Sequence, residues 1–388
     1  MISGESSVLS FNNRFETLVV SPDNLFQMIR KQKPGQVSFE QSEQSYARRE
    51  LLHVEKVAIA SKRVKFADDA AYKEKVKGFL HKLIAEEMAE HVTFTGDIFS
   101  KTLNLNDALS PLLDTLSVRA ASISKIEPHV CDVPWLHDDL LQTVNTPTFR
   151  RKDARGKVIV VESLRTALSF LGIENLRLLI PSLILKRAMP QVTDPYPLFK
   201  QKMSQYGIGT GVTSMHLSTF NTINSTQSYT LGMLSYLGRC AIVRLYFRLF
   251  NKVQRHLLEE CVRNQEQRRH DALVSITPSI EHIISLQDIY ADTLSADLIE
   301  HMLFKRLFIA GAMRDVASGN PAQDRSLAKT LIQARLYTKV RMMHQVRATE
   351  VDEIKPMIKR QCFPVGALEK LKPIDVFTLP LTRTDNNT

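Results

Sequence analysis

The sequence has few cysteines and one tryptophan, and it contains no segment dominated by one residue type. Its four cysteines, Cys131, Cys240, Cys261 and Cys362, are far apart and form no CxxC pair. This spacing argues against a zinc ribbon or a disulfide scaffold and is typical of a reducing compartment. The 14 glycines and 16 prolines are too few for a collagen-like or low-complexity chain.

The sequence also lacks an uninterrupted apolar run of about 18 residues, the length of a membrane span. Its most apolar stretches, 164–188 and 231–250, are interrupted by arginine or lysine. The N-terminal residues MISGESSVLSFNN have neither the basic start nor the apolar run of a signal peptide. We therefore expect a cytoplasmic protein without a membrane span.

The composition is ordinary for a globular protein with an excess of basic residues. The 388 residues are 44% hydrophobic and 24% charged, enough for one large domain with extensions or for two domains. The net charge of +10 favours anionic partners, which include nucleic acid, nucleotides and acidic proteins. A modest excess of basic residues can equally serve solubility alone.

Apolar periodicity predicts a mainly helical protein. Leu164, Ala167, Leu168 and Leu171 follow the helical spacing i, i+3, i+4, i+7, and Gly172 suits a left-handed helix end. A second helix is predicted from residue 173, with a kink at its internal proline. Further helices are predicted at 112–127, 136–145, 198–223, 227–265, 278–286, 294–317 and 323–347. Residues 376–381 are predicted to form an edge strand or a docked arm.

Motifs that would indicate metal binding, catalysis or phosphate binding are only weak signals in this sequence. Adjacent His and Asp hold a divalent metal in HD-type phosphohydrolases, and such pairs occur at 137–138 and 270–271. Both pairs are more simply explained as polar surface positions at helix starts. Residues 207–211 (GIGTG) superficially resemble a phosphate loop but lack the following Lys and Ser/Thr, so close helix packing is the better interpretation.

Two basic helical stripes could contact an anion. Arg244, Arg248 and Lys252 recur at i, i+4 and i+8. The second stripe, within 329–347, contains Arg335 and Lys339 and no acidic residue. Either stripe could bind phosphates of a nucleic acid or a cyclic nucleotide, and solvated helix faces explain them as well.

Six segments, in order, match a known pattern. They are WLHDDLLQTVNTPTF (135–149, with Asn145), VESLRTALSFLGIENLRLLI (161–180, with Ser163, Leu171 and Gly172), PLFKQKMSQYGIGTG (197–211, with Phe199), LGMLSYLGRCAI (231–242, with Gly232, Ser235, Tyr236 and Gly238), FIAGAMRDVASGNP (308–321) and SLAKTLIQARLYTKV (326–340). Together they resemble the HDOD domain family, the HD-related output domains of bacterial signalling proteins. The resemblance implies an all-α, HD-like helical bundle at 105–346, a mainly helical N-terminal extension at 1–104 and a C-terminal tail at 347–388.

The expected function follows from the positions at which this chain differs from the HD enzymes. Where an HD enzyme has His-Asp, this chain has Ser235-Tyr236, and Arg239 replaces the following lysine. Serine and tyrosine cannot replace an imidazole and a carboxylate as a metal pair. The resemblance therefore implies a non-catalytic regulatory protein in signal transduction, without cofactor or metal.

Its expected partner is a signalling protein, with a nucleotide or another anion as a further candidate ligand. The surface predicted for this contact consists of Arg244, Arg248, Lys252, Arg335 and Lys339. A metal-dependent HD-type phosphohydrolase with atypical ligands remains the alternative.

Overall fold

The structure, a computed structural model, describes residues 10–30, 53–152, 158–319 and 326–382, and these are overwhelmingly helical. The helices in chain order are α1 (Phe11–Val20), α2 (Pro22–Arg30), α3 (His53–His91), α4 (Thr95–Asp97), α5 (Leu109–Ser117), α6 (Ile123–Cys131), α7 (Pro134–Val144), α8 (Leu164–Ala188), α9 (Phe199–Asn221), α10 (Ser225–Leu234), α11 (Leu237–Asn264), α12 (Gln267–Val274), α13 (Ile280–His301), α14 (Ala310–Ala317), α15 (Leu327–Gln345), α16 (Val351–Gln361) and α17 (Ala367–Leu371), with a π-helical turn at Ile98–Thr102. The predicted all-α class is confirmed.

The short strands β1 (Arg151–Lys152) and β2 (Val158–Ile159) pair in antiparallel register and form the one sheet of the described residues. They lie between α7 and α8 and contribute little to the core, because Val158 and Ile159 are exposed. The core is therefore formed by helices packed on helices.

The predicted helix pair is present, and its break lies where the glycine predicts it. Gly172 has φ 74°, a left-handed value that an L side chain rarely adopts, whereas Pro181 keeps helical dihedral angles. α8 is long and apolar enough to cross a membrane, with a mean hydropathy of 1.5 over its best window, and 56% of that window is buried within the protein. Such burial is typical of a core helix, and the predicted lack of a membrane span stays a prediction.

Close helix contacts explain the predicted glycine-rich run. The Cα of Gly211 would lie 2.7 Å from a Cβ placed on Gly232, so α9 and α10 pack almost backbone to backbone. Gly207 and Gly209 are likewise too close to the side chains of Leu185 and Thr338 to carry a Cβ. The GIGTG run is thus a packing surface, as predicted.

The helix predicted at 112–127 is wrong, because that region contains α5 and the start of α6, and predicted bounds are wrong in two further regions. The single helix expected at 227–265 is two helices, because the chain turns at Ser235 and Tyr236 between α10 and α11. The helices expected at 278–286 and 294–317 are instead the continuous α13, a connecting segment and the short α14. In both regions the apolar pattern is continuous, so periodicity alone does not locate the boundary.

The first and last described segments pack onto the same helical body. α1 contacts α9, α13 and α15. Near the C-terminus, the amide of Asn175 donates to the Thr382 carbonyl at 2.6 Å and accepts from the Thr382 N–H at 2.9 Å. The segment at 376–381 is therefore a docked arm and not a strand.

Candidate functional site

A cleft of about 690 Å³ lies at the turn between α10 and α11. Its walls come from α1, α9, α11 and all four helices from α13 to α16, and Tyr236 of the turn lines it. The position where the HD enzymes carry His-Asp therefore faces a cavity in this chain. Its volume is within the usual range for a small-molecule site, roughly 300–1,000 Å³.

Ser235 is committed to the structure of the turn. Its hydroxyl donates to the Gly232 carbonyl at 2.9 Å, and the side chain is buried. Its carbonyl accepts from the Ser295 hydroxyl at 2.9 Å and from the guanidinium of Arg335 at 3.2 Å. Ser235 thus joins α10 to α13 and α15 and has no free donor for a ligand.

Tyr236 is held by aromatic packing. Its ring stands edge-on to Tyr206 with centroids 4.7 Å apart, and Tyr206 in turn meets Phe15 at 4.8 Å. Although its hydroxyl is buried, it makes no hydrogen bond with any described residue. Burial raises the pKa of the Tyr236 phenol well above its usual value, so the group stays a neutral donor.

Arg239, at the lysine position of the HD pattern, is neutralised from the N-terminal helix. Its guanidinium donates to both carboxylate oxygens of Glu16, at 2.5 and 2.9 Å. Lys339 adds a second cation, 3.4 Å from the same carboxylate. Burial raises the pKa of Glu16, but Arg239 and Lys339 outweigh it and lower that pKa to about 2. The carboxylate is therefore ionised at neutral pH.

Two further side chains of the cleft have donors without an acceptor. Arg335 pairs with Asp292 at 2.9 Å, yet its Nε–H makes no hydrogen bond within the described residues. Gln287 uses its carbonyl oxygen to accept from Arg239 at 3.0 Å, which leaves its amide nitrogen without a partner there. Together with the Tyr236 hydroxyl, these are three buried donors whose side chains line one cavity.

The charges of the cleft are nearly balanced. The basic residues that line it are Arg239, Arg335, Lys339 and Arg360, and the acidic ones are Glu16, Asp288 and Asp292. Asp288 makes no hydrogen bond or ion pair with the described residues. It is exposed, but partial desolvation together with the neighbouring Glu16 raises its pKa. Basic residues outnumber the acidic ones by one, so the lining has a small net positive charge.

α1 forms one wall of this cleft and is held there by apolar packing. It buries five apolar side chains, Phe11, Phe15, Leu18, Val19 and Val20. Each contributes about 1.5–3 kcal/mol when fully buried. Arg14 also forms an ion pair with Glu353 of α16.

The residues at the HD position do not fit a metal. Protein sites for Mn²⁺, Fe²⁺ or Zn²⁺ are built mainly from imidazole, thiolate or carboxylate ligands, and Ser235, Tyr236 and Arg239 supply none. Of the three carboxylates, Glu16 and Asp292 already pair with cations of the protein. Across residues 10–30, 53–152, 158–319 and 326–382, no group of three metal-binding side chains is found.

The other pattern residues hold helices together. Asn145 donates to the carbonyls of Leu141 and Val161 and accepts from the Val161 N–H, each at 2.9 Å, which joins the end of α7 to the segment before α8. Ser163 precedes α8 without a side-chain cap, and Phe199 is fully buried at the start of α9. These positions lie outside the cleft lining.

The structure divides the predicted anion surface into separate places. Arg335 and Lys339 line the cleft. Arg244 donates to carbonyls of the fold, including Leu103 at 3.3 Å, and Lys252 pairs with Glu87 at 2.8 Å. Arg248 and Lys252 are exposed, whereas Arg244 is partly buried. The five residues therefore do not form one surface, and their binding role stays a prediction.

The two His-Asp pairs lie away from the cleft. His137 and Asp138 are 3.0 Å apart, His270 and Asp271 are 3.5 Å apart, and both aspartates are largely exposed. Neither pair lines the cavity at Tyr236. Their interpretation as polar surface positions agrees with this placement.

Sequence reasoning missed Glu16, Gln287 and Asp288. Glu16 is 223 residues from Arg239, so no local pattern connects them. Its one signal is a lone acidic residue within the apolar run FETLVV. Gln287 is a polar residue on the buried face of α13, which is such a signal, whereas Asp288 is exposed on the same helix and gives none.

Comparison with known proteins gives one family and one solved structure. The HDOD domain family model matches residues 103–275. No curated protein sequence matches the chain. A crystal structure from Shewanella amazonensis SB2B, provisionally described as a metal-dependent phosphohydrolase, is similar with a TM-score of 0.43 and 13% identity, over 76% of this chain and 95% of that one. The matched family and its helical fold agree with the pattern found in the sequence, although the predicted boundaries 1–104, 105–346 and 347–388 stay predictions. Residues 103–275 of this chain belong to the HDOD domain family.

Proposed function

We propose that this chain is a non-catalytic regulatory protein of a bacterial signalling pathway, acting through its HDOD domain by binding a partner or ligand. The observation that carries the proposal is the side-chain set at the turn between α10 and α11. Ser235 is used by the fold, Tyr236 is a neutral phenol, and Arg239 is a cation. None of these can hold a metal ion or generate a metal-bound hydroxide.

The electrostatics of the cleft support the same proposal. A divalent cation placed near Tyr236 would face Arg239 and Arg335, whose guanidinium groups are already directed at carboxylates. Displacing either guanidinium would leave a buried charge without its partner, which costs about 3–5 kcal/mol.

A metal-dependent phosphohydrolase with atypical ligands is the second candidate, and Asp288 is the observation that favours it. Its carboxylate lines the cleft and is not engaged by a cation of the described residues. One such carboxylate does not complete a metal site. Asp288 and Asp292 together, however, supply two carboxylates on one helix, at the spacing i and i+4.

Metal analysis combined with hydrolysis separates the two candidates. The full chain is purified without chelator, its Mn, Fe and Zn content is measured, and bis(p-nitrophenyl) phosphate is offered with each metal added. We expect no stoichiometric metal and no hydrolysis above that of the buffer with metal. A stoichiometric metal with hydrolysis that is lost in Asp288→Asn and kept in Glu90→Gln, an exposed carboxylate of α3, would refute the proposal.

A further inference from the structure

The cleft contains an arrangement that a purely structural role does not require. The Tyr236 hydroxyl, the Gln287 amide nitrogen and the Arg335 Nε–H are buried donors without acceptors among the described residues. Buried donors are normally satisfied, and each unmet one costs about the free energy of the missing hydrogen bond. All three side chains line the same cavity of about 690 Å³.

We infer that this cavity binds a small oxyanion-bearing molecule whose phosphate or carboxylate oxygens accept from Tyr236, Gln287 and Arg335. This inference rests on the proposed function, since it supplies the ligand class of the same domain. It goes further in giving the site, the chemistry of its occupant and the residues that recognise it.

The identity of the unmet groups sets the class of ligand. Each of the three is a donor, so the occupant must present acceptors, and an anionic oxygen accepts more strongly than a neutral one. Arg335 is kept charged and directed by Asp292 at 2.9 Å. A phosphate monoester and a carboxylate share this chemistry.

Glu16 affects the net charge of the site because it pairs with two of its cations. Its single negative charge offsets one of the two positive charges of Arg239 and Lys339, so the occupant meets a weakly positive cavity. The Glu16 carboxylate also repels an entering anion, as a like charge in a partly desolvated cavity does. Removing that charge without changing the shape of the side chain therefore raises the affinity for the anion.

The test uses isothermal titration calorimetry on the full chain freed of metal by EDTA, with inorganic phosphate, AMP and citrate as probes. Binding of phosphate and AMP indicates a phosphoryl ligand, and binding of citrate alone indicates a carboxylate ligand. Either result supports the inference. If none of the three binds, the inference is overturned.

Tyr236→Phe is the central variant because it removes a hydroxyl without a partner and retains the packed ring. We expect about tenfold or greater loss of affinity for the bound probe, with unfolding in urea no easier than for the unmodified protein. Tyr290→Phe, on α13 outside the cleft, is the matched control and binds normally. Equal affinity of Tyr236→Phe and the unmodified protein would overturn the inference.

Two charge variants complete the test. Glu16→Gln is expected to tighten binding several-fold, whereas Glu90→Gln leaves it unchanged. Arg335→Lys is expected to weaken binding, whereas Arg255→Ala, an exposed arginine of α11, leaves it unchanged. Equal weakening by Arg255→Ala would indicate screening by net charge and would contradict a built site.

Different experimental results would contradict the inferred oxyanion site and the proposed function. AMP hydrolysis with added Mn is measured in the same samples. Hydrolysis that requires metal contradicts the proposed function. Absence of both hydrolysis and binding contradicts the oxyanion site and leaves the regulatory role standing.

Discussion

Glu16 of α1 and Arg239 of α11 form an ion pair with two hydrogen bonds, although 223 residues separate them in the sequence. Arg239 follows the turn where the HD enzymes carry their metal pair. The pair therefore ties the N-terminal helix to the centre of the cleft. In this chain a carboxylate therefore faces the guanidinium of an arginine, whereas in a metal enzyme a carboxylate at this place would face a metal ion.

Breaking this pair is expected to destabilise the protein. Both side chains are largely buried, at 6% and 15% exposure, so Arg239→Gln leaves Glu16 without its main partner. We expect a loss of about 3–5 kcal/mol in the free energy of unfolding, measured by urea denaturation. The matched control is Lys355→Gln, which breaks the exposed pair with Asp352 and should change stability by less than about 1 kcal/mol. Equal effects would contradict the assigned role.

The same ion pair predicts that the stability of the protein decreases at acid pH. The pKa of Glu16 is lowered from 4.5 to about 2 in the fold. The unfolded chain therefore takes up a proton first as pH falls, and the stabilisation is complete above pH 4.5 and is lost towards pH 2. Urea unfolding over this range should show a shallower pH slope in Glu16→Gln than in the unmodified protein. Equal slopes would show that Glu16 titrates alike in both states.

A second pH effect is expected from His81. Burial lowers its pKa from 6.5 to about 4, and its ring stacks on His282 with centroids 3.6 Å apart. Because the unfolded chain protonates first, stability should fall as pH decreases from 6.5 towards 4. His81→Gln should flatten this part of the profile, and His256→Gln, an exposed histidine of α11, should not. A profile that rises on acidification would contradict the burial of a neutral ring.

Gly238 fixes the distance between α11 and α13. A Cβ there would lie 2.1 Å from the carbonyl oxygen of Ala291, and the Gly238 N–H donates to the Ser295 hydroxyl at 3.0 Å. Gly238→Ala must separate the two helices, and we expect a loss of about 3 kcal/mol or more in the free energy of unfolding. Gly78→Ala, on an open face of α3, should instead stabilise by about 0.5–1 kcal/mol. Similar effects of both substitutions would contradict the close packing.

Much of the fold could be predicted because helix periodicity and helix-end residues are local. The break at Gly172 follows from an apolar stripe that ends at Leu171. The turn at Ser235 and Tyr236 could not be located from the same pattern, because apolar residues continue on both sides of it. Only the resemblance to the HD motif marked this position as special.

The cleft could be predicted in part. Tyr236, Arg335 and Lys339 were identified, the first by motif and the others by their basic stripe. Their companions Glu16 and Gln287 could not be, since the contacts join α1, α11, α13 and α15 across the tertiary fold. Arg244 shows a further limit of local patterns, because a helical basic spacing does not reveal that a side chain binds carbonyls of its own fold.

The most direct test of the account is a crystal structure of the full chain grown with both AMP and manganese, with anomalous data collected at the manganese edge. We expect AMP phosphate oxygens within hydrogen-bonding distance of the Tyr236 hydroxyl and the Arg335 guanidinium, and no manganese peak in the cleft. A manganese peak between Asp288 and Asp292 with the phosphate bound to it would contradict the account and favour a phosphohydrolase.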